Sequence, residues 1–311
     1  MLVRLGFESA ALDAKLLAQH ALGLDALQLA TRENEAVNEP EAAVLAELVR
    51  RRMTGESVAR IIGEREFYGL AFTLNAATLE PRPETELLVD LALGAMPEGG
   101  CLLDLGTGTG CIPIAVLANQ PDATAVAVDL SPLALEAARS NAARHGAGGR
   151  LELRQGDWFG ALEGPPPSFL PHKGEGGDGT EISQPAPPSP RWGGTEGGVG
   201  PRAPSLAATR FDLIVSNPPY ITSAVVETLA PEVKDFDPRL ALDGGPDGLA
   251  PYRVIAAQSA NWLKPGGWLL VEIGHDQGAA VSALLLEAGF ADVVVHRDLN
   301  GLDRVVGAHH I

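Results

Sequence analysis

The sequence predicts an α/β protein: an open, mostly parallel, Rossmann-like sheet with helices on both faces, preceded by a small helical domain. Three observations carry this reading. From residue 81 onward short apolar strands alternate with helix-length stretches, the pattern of repeated βαβ units. Leu102-Leu103-Asp104-Leu105 runs into Gly106-Thr107-Gly108-Thr109-Gly110 and then a helix, the strand, glycine turn and helix of nucleotide-type folds. Leu213-Ile214-Val215 is a continuous apolar run, as in a strand buried on both faces, and delivers Asn217 to the carboxyl edge where open α/β sheets hold ligands.

The 311 residues suffice for a full α/β domain and a smaller one. A formal net charge of -17 argues against a broad phosphate-binding surface, which needs Lys and Arg, and suits a neutral or basic protein partner better. The two cysteines, Cys101 and Cys111, flank one strand-to-helix junction, and no Cys/His cluster has metal-ligand spacing, so neither a metal site nor a disulfide framework is expected. No apolar run reaches bilayer length and the N-terminus lacks the features of a signal peptide, so a cytoplasmic protein is expected.

Taken in order, Ser9 to Gly23 offers a cap candidate, Leu12, Leu16 and Leu17 at helical spacing, and a terminating glycine. A second helix is expected from about Asn38 to Met53. Val44, Leu45, Leu48 and Val49 share one face, and Arg50, Arg51 and Arg52 form a solvated end where the dipole favours cations. Residues 1–63 are thus read as a small helical domain. Glu64 to Leu74 alternates around Gly69 like a hairpin, making 64–80 a linker to a third unit, 81–311. Pro81-Arg82-Pro83-Glu84-Thr85-Glu86 opens a helix carrying Leu87, Leu88, Leu91 and Leu93, with acids at its positive end.

After the glycine turn comes a helix with Ile112, Ile114, Val116 and Leu117. A dinucleotide fingerprint would place its third glycine where Cys111 stands, so a cofactor without phosphates fits better. Ala125 to Val128 is the second strand, and Asp129 ends it, where an acid takes ribose hydroxyls or serves the turn. The helix from Pro132 to His145 leads to a third strand near Leu151 and Leu153, then Gly156-Asp157-Trp158. That acid and aromatic either hold an adenine amine and cover its ring, or Trp158 belongs to the core.

Residues 164–209 hold 10 Gly and 10 Pro among 46 residues without apolar periodicity, so a disordered insertion is expected there. The fourth strand then ends in Asn217-Pro218-Pro219-Tyr220. The prolines fix φ and remove N–H donors, leaving a stiff segment rich in acceptors. An Asn side-chain carbonyl beside a Pro carbonyl suits a planar NH2 group, and Tyr220 offers a flat face behind it. The target is an amide or an exocyclic base amine, although Asn-Pro also opens ordinary turns. Phe236 to Gly245 is a turn-rich loop that can fold over the site, followed by a helix from Leu249 to Leu263. Gly267 to Ile273 is a further strand, Ala279 to Ala288 a helix, and Val293 to Val295 and Arg304 to Val306 the last strands. His309 and His310 are read as tail residues.

Asp104 to Gly110, Asp129, Asp157-Trp158-Phe159 and Asn217 to Tyr220 resemble, in order, the motifs of class I S-adenosylmethionine methyltransferases. Gly63-Glu-Arg-Glu-Phe-Tyr-Gly69, Pro81 to Glu86 and Pro238-Arg-Leu-Ala-Leu-Asp-Gly-Gly245 resemble the HemK/PrmC family, the peptide chain release factor glutamine N5-methyltransferases. The likeness covers nearly the whole chain outside 164–209. Ser57-Val58-Ala59-Arg60 departs from the more typical Pro-Leu-Ala-Tyr, and Glu80 stands where an apolar residue is usual. The resemblance implies a seven-stranded methyltransferase sheet and methylation of the Gly-Gly-Gln glutamine of class 1 release factors. It implies cofactor contacts from Gly106, Thr107, Gly108, Thr109, Gly110, Asp129, Trp158 and Asn217 to S-adenosyl-L-methionine. Asn217, Pro218, Pro219 and Tyr220 would hold the glutamine, with Asn217, Pro218 and Tyr220 catalytic. Three other functions share parts of this pattern: glutamine methylation of a ribosomal protein, adenine N6 methylation of nucleic acid, and a cofactor-binding scaffold silenced by the insertion.

Overall fold

A computed structural model describes residues 2, 7, 9–32, 34–162 and 210–311; the expected insertion at 164–209 lies outside the described residues. Helix α1 (Ala10–Leu22) ends at Gly23, whose φ of 63° is the left-handed stop that glycine adopts without strain. Ser9, the expected cap, makes no side-chain capping bond. A short α2 (Ala26–Thr31) was not anticipated. It is held by a reciprocal capping box between Asp25 and Gln28, a local signal without enough length to show periodicity.

Helix α3 (Glu39–Met53) begins with a second capping box, Asn38 with Glu41. Of its expected apolar face only Leu48 is fully buried, and Val44 is 49% exposed. Helix α4 (Val58–Ile62), also unanticipated, is capped by Ser57 and stopped by Gly63. Leu17, Leu48 and Ile61 form the small core of these helices. Arg52 corrects the reading of a solvated arginine end. It is buried beneath the Phe7 ring and bonded to Asp13 and Glu232, each at 2.7 Å.

Strands β1 (Glu64–Phe67) and β2 (Leu70–Thr73) form the hairpin, turning through Tyr68 and Gly69, both at positive φ. Phe67 and Phe72 bury its inner face edge to face. The stretch from Pro83 to Thr85 is a 3-10 turn that leads into α5 (Glu86–Ala95).

The main sheet contains β3 (Cys101–Leu105), β4 (Thr124–Asp129), β5 (Leu151–Gln155), β6 (Phe211–Ser216), β7 (Leu263–Glu272), β8 (Ala291–Arg297) and β9 (Asp303–His309). Its order is β5-β4-β3-β6-β7-β9-β8, parallel except for the two antiparallel pairings made by β9. The connections include α6 (Cys111–Asn119), α7 (Pro132–Arg144), the one-turn α8 (Ser223–Val226) and α9 (Pro231–Lys234), α10 (Ala250–Trp262) and α11 (Gly278–Glu287).

Alternation along the strands builds two cores. Leu102, Leu213 and Val215 join Leu88, Val89 and Ile114 on one face. Leu103, Leu105 and Ile214 join Tyr252, Ile255, Val281 and Leu285 on the other. Each fully buried aliphatic side chain contributes roughly 1.5 to 3 kcal/mol, so both faces hold the strands rigidly. His309 lies in β9 with its ring 5.0 Å from that of Trp268, not in a tail.

Register sets up the site. Ser216 pairs with Leu105 on one side and Val271 on the other, and its hydroxyl donates to the Leu105 carbonyl at 2.7 Å. Gly106, Asn217 and Glu272 therefore stand in neighbouring positions at one edge of the sheet. The loop after the clamp returns onto it, with hydrogen bonds between Ile221 and both Leu242 and Gly244. Gly244 is required there, because a Cβ would meet the Pro219 carbonyl at 2.7 Å.

Candidate active site

A cleft opens at the carboxyl ends of β3, β4, β5 and β6, the place the sheet topology predicts. Gly106, Thr107, Gly108 and Thr109 form its floor, Asp129 and Trp158 one side, and Asn217 and Pro219 the other. Gly110, Pro218 and Tyr220 do not line it. Gly110 serves packing: at φ 79° it starts α6, and a Cβ there would meet Ile114 at 2.9 Å and Ala138 at 3.2 Å. Leu240 and Ala241, from the loop expected to fold over the site, close part of the wall.

The glycine turn has few donors to spare. Gly106 and Thr107 both donate their N–H to the Val128 carbonyl at 2.9 Å, Gly108 donates to Asp129 Oδ2 at 2.8 Å, and Gly110 donates to the Thr107 carbonyl. A phosphate cradle needs such groups pointing at the ligand, so this turn fits an uncharged or cationic group instead. Asp129 accepts from Gly108 and, through Oδ1, from Ser131 at 2.8 Å, which leaves lone pairs on both oxygens for hydroxyls. Burial pushes its carboxyl upward against these hydrogen bonds.

Trp158 sits at φ 47°, unusual for a bulky residue, which marks a turn constrained by its surroundings. It lines the cleft and also packs on the core beside Phe159, so the two sequence readings coexist. Asp157 lines the same end and is exposed. Beneath the turn, Asp104 is fully buried and neither carboxyl oxygen has a well-formed hydrogen bond. Burial pushes its carboxyl up to about 7, eased by the nearby Thr107 hydroxyl.

In the clamp, Asn217 Nδ2 donates to Thr85 Oγ1 at 3.2 Å. The amide nitrogen is thereby engaged and Oδ1 remains as an acceptor. The Tyr220 carbonyl accepts from Gln277 Nε2 at 3.0 Å, which anchors the clamp from behind. Burial and the neighbouring Glu272 push the Tyr220 phenol up to about 12, so it stays protonated.

Three residues around the cleft were not singled out from sequence, and a fourth, Glu80, was noted only as a departure from the family pattern. Thr85 and Arg82 belong to a stretch read as a helix start. Glu80 lines the cleft and is held by Ser57 at 2.7 Å and Arg65 at 3.4 Å. Glu272 is buried behind the clamp. A carboxylate closing the apolar run Trp268 to Val271 was a visible signal for it, since charge is rarely buried without a purpose. Among the described residues no group of three or more His, Cys, Asp or Glu could hold a metal ion, and no helix is long and apolar enough to cross a membrane.

A sheet of this order, closed by an antiparallel hairpin and carrying a phosphate-averse cleft with an acid at the end of β4, defines a class I methyltransferase. Residues 98–164 match the family described as methyltransferase domain, and residues 1–63 match the PrmC N-terminal domain. The release factor glutamine methyltransferase of Geobacter sulfurreducens is 39% identical over 302 residues, covering 97% of this chain and 90% of that protein. That of Cereibacter sphaeroides is 40% identical over 303 residues, covering 97% and 92%. The chain belongs to the release factor glutamine methyltransferase family. A solved protein-(glutamine-N5) methyltransferase (release factor-specific) from Alicyclobacillus acidocaldarius is 26% identical, covers 74% of this chain and 93% of that one, and superposes with a TM-score of 0.37.

Proposed function

We propose that the protein transfers a methyl group from S-adenosyl-L-methionine to the side-chain amide nitrogen of the glutamine in the Gly-Gly-Gln motif of class 1 peptide chain release factors. Family membership supports the activity, and the orientation of Asn217 carries the reading at the level of atoms. With Nδ2 bonded to Thr85, Oδ1 is the part of this amide left for a donor. A glutamine NH2 brings two N–H groups in one plane. Asn217 Oδ1 takes one, and the Pro218 carbonyl, next in the chain though outside the lining of the ligand-free cleft, takes the other, which turns the nitrogen face toward the methyl donor.

The residues fit the cofactor. Asp129 has lone pairs free for ribose hydroxyls, Asp157 and Trp158 suit an adenine amine and ring, and the spent N–H groups of the glycine turn disfavour a phosphate-bearing alternative. S-adenosyl-L-methionine supplies a methyl on a sulfonium, already activated toward nucleophiles. The protein's own contribution is aim, which in favourable cases is worth roughly 7 to 11 kcal/mol. Asn217 is an amide and too weak a base to remove a proton, and none is required before the nitrogen is alkylated. The N–CH3 bond forms as the S–CH3 bond breaks, leaving S-adenosyl-L-homocysteine, and the alkylated nitrogen, now strongly acidic, releases its proton to water.

Residues 1–63 are proposed to choose the release factor, with 64–80 as connector and 81–311 as the transferase. The clamp reads an NH2 plane that every glutamine shares, so selection has to come from surface outside the cleft. An enzyme acting on a translation factor would work in the cytoplasm.

The test is mass spectrometry of a Gly-Gly-Gln release factor after incubation with the protein and S-adenosyl-L-methionine. Methyl gain on that glutamine is expected. An unmodified release factor alongside a methylated ribosomal protein or adenine-containing oligonucleotide would assign the activity elsewhere.

A further inference from the structure

Beside Asn217, at the ends of β6 and β7, stand a buried carboxylate and a buried hydroxyl. Glu272 is 2% exposed and Thr85 equally buried. Because Ser216 pairs with Val271, Asn217 and Glu272 leave their strands side by side. Asn217 Nδ2 donates to Thr85 Oγ1 at 3.2 Å, and the nearby Thr85 hydroxyl and Asn217 amide both favour the ionised form of the Glu272 carboxylate. The second carboxylate oxygen, Oε2, has no partner among the described residues. Tyr252 fixes the strand end by donating its hydroxyl to the Glu272 carbonyl at 2.8 Å.

Counting donors makes the consequence specific. An ionised carboxylate only accepts, and Thr85 has a single proton for which the nearby carboxylate is the strongest acceptor, so its oxygen accepts from Asn217. Only the NH2 end of the Asn217 amide can face this pair. The alternative orientation, rotated by half a turn about the last side-chain bond, would set the carbonyl oxygen against two acceptors and put NH2 into the cleft. There it would meet the substrate's own NH2, donor against donor.

We propose that Glu272, acting through Thr85, is the positioning residue that fixes which end of the Asn217 amide meets the substrate. The inference rests on the glutamine methyltransferase reading for its kinetic consequence, not for its structural one. Protonating Glu272 converts one of its oxygens into a donor and allows the reversed amide. The charged and titratable groups facing it are Arg304 on β9, Glu84 in the 3-10 turn, Tyr220 in the clamp, Tyr252 on α10 and Cys111 on α6. Arg304 favours the ionised form and Glu84 opposes it, while burial, the largest influence, places the ionisation at about 7. The acidic limb of kcat therefore belongs to Glu272, with activity falling as pH drops through neutrality.

Two measurements on the full chain test this. In the first, Glu272→Gln and Thr85→Val each lower kcat by about tenfold or more, equivalent to roughly 1.4 kcal/mol, with KM for the release factor little changed. Thr85→Ser restores most of kcat, and Glu272→Gln lacks the acidic limb. In the second, side-chain amide NMR follows the two Nδ2 protons of Asn217 without turnover. Their signals shift with pH in the wild type and stay flat in Glu272→Gln. Should Glu272→Gln fail to fold, Thr85→Val against Thr85→Ser supplies both comparisons. An inactive wild type with a titrating Asn217 amide would sink the function and leave the positioning intact. An active wild type whose Asn217 signals are indifferent to pH and to both variants overturns the positioning.

Discussion

Arg60 and Asp237 are 177 residues apart in sequence and 2.6 Å apart in space, with side chains only 8% and 3% exposed. Arg60 also donates to the carbonyls of Asn75 and Thr78, and the other Asp237 oxygen takes Arg82 at 2.8 Å. One carboxylate thus ties α4, the cleft wall at Arg82 and the loop bearing Leu240 and Ala241. Asp237→Ala is expected to cost about 3 to 5 kcal/mol, because it leaves the buried Arg60 without its counter-charge. Urea unfolding measures this, and cofactor affinity should fall with it as Leu240 and Ala241 loosen.

Asn217→Ala removes the acceptor while Thr85 and Glu272 remain. Turnover should fall by about 100-fold through lost aim, well beyond any loss of S-adenosyl-L-methionine affinity from the missing Asn217 contact. Initial rates with a release factor, beside calorimetry with the cofactor, separate the two effects. Near-normal rates would mean that the glutamine is held elsewhere.

Asp129 carries two duties, since its oxygens also hold the Gly108 and Ser131 N–H groups. Asp129→Ala is therefore expected to weaken cofactor binding by roughly 10- to 100-fold, the worth of hydrogen bonds to a charged group, and to lower stability as well. Asp129→Asn retains one acceptor and should lose less of both. Calorimetry paired with thermal unfolding of the two variants checks the ranking.

Asp104 makes stability depend on pH. The native carboxyl keeps its proton up to about 7, whereas in the unfolded chain it ionises near 3.8, so the native state binds more protons in that interval. Its contribution is complete below the unfolded value and is lost as pH rises through about 7. Asp104→Asn, neutral throughout, should gain on the wild type by a few kcal/mol across that window. Unfolding at pH steps through the window reads the difference, and a constant gap would show that Asp104 is ionised in the native state.

Much of this was legible because the signals were local. Continuous apolar runs marked β3, β4 and β6, the glycine turn marked the cleft floor, and Asn217 was placed at the cleft edge by the strand before it. What escaped depended on distance. Glu272 comes beside Asn217 only through sheet register, and Thr85 only through the turn before α5, and neither has a neighbour in sequence that announces the other. Arg52 was read as solvated because the sequence could not show that Asp13 and Glu232 arrive from opposite directions. Helices α2 and α4 were missed for another reason: at 6 and 5 residues they are too short for periodicity, and only their capping side chains betray them.

The turn from Gly106 to Gly110 arrives already folded, since the amides of Gly106, Thr107, Gly108 and Gly110 find partners within the chain. Deuterium should enter Gly106, Thr107 and Gly108 slowly in the ligand-free protein, and little more slowly after a ligand is added. Binding then has no loop to freeze there, so the entropy of association is spared that loss. Sulfate or pyrophosphate, which crowd the equivalent turn of nucleotide enzymes, would be poor competitors at this floor. Selective inhibitors of this cleft should accordingly be built around the two flanking carboxylates, Asp129 and Asp157, as cationic or hydroxyl-rich molecules without an anionic head.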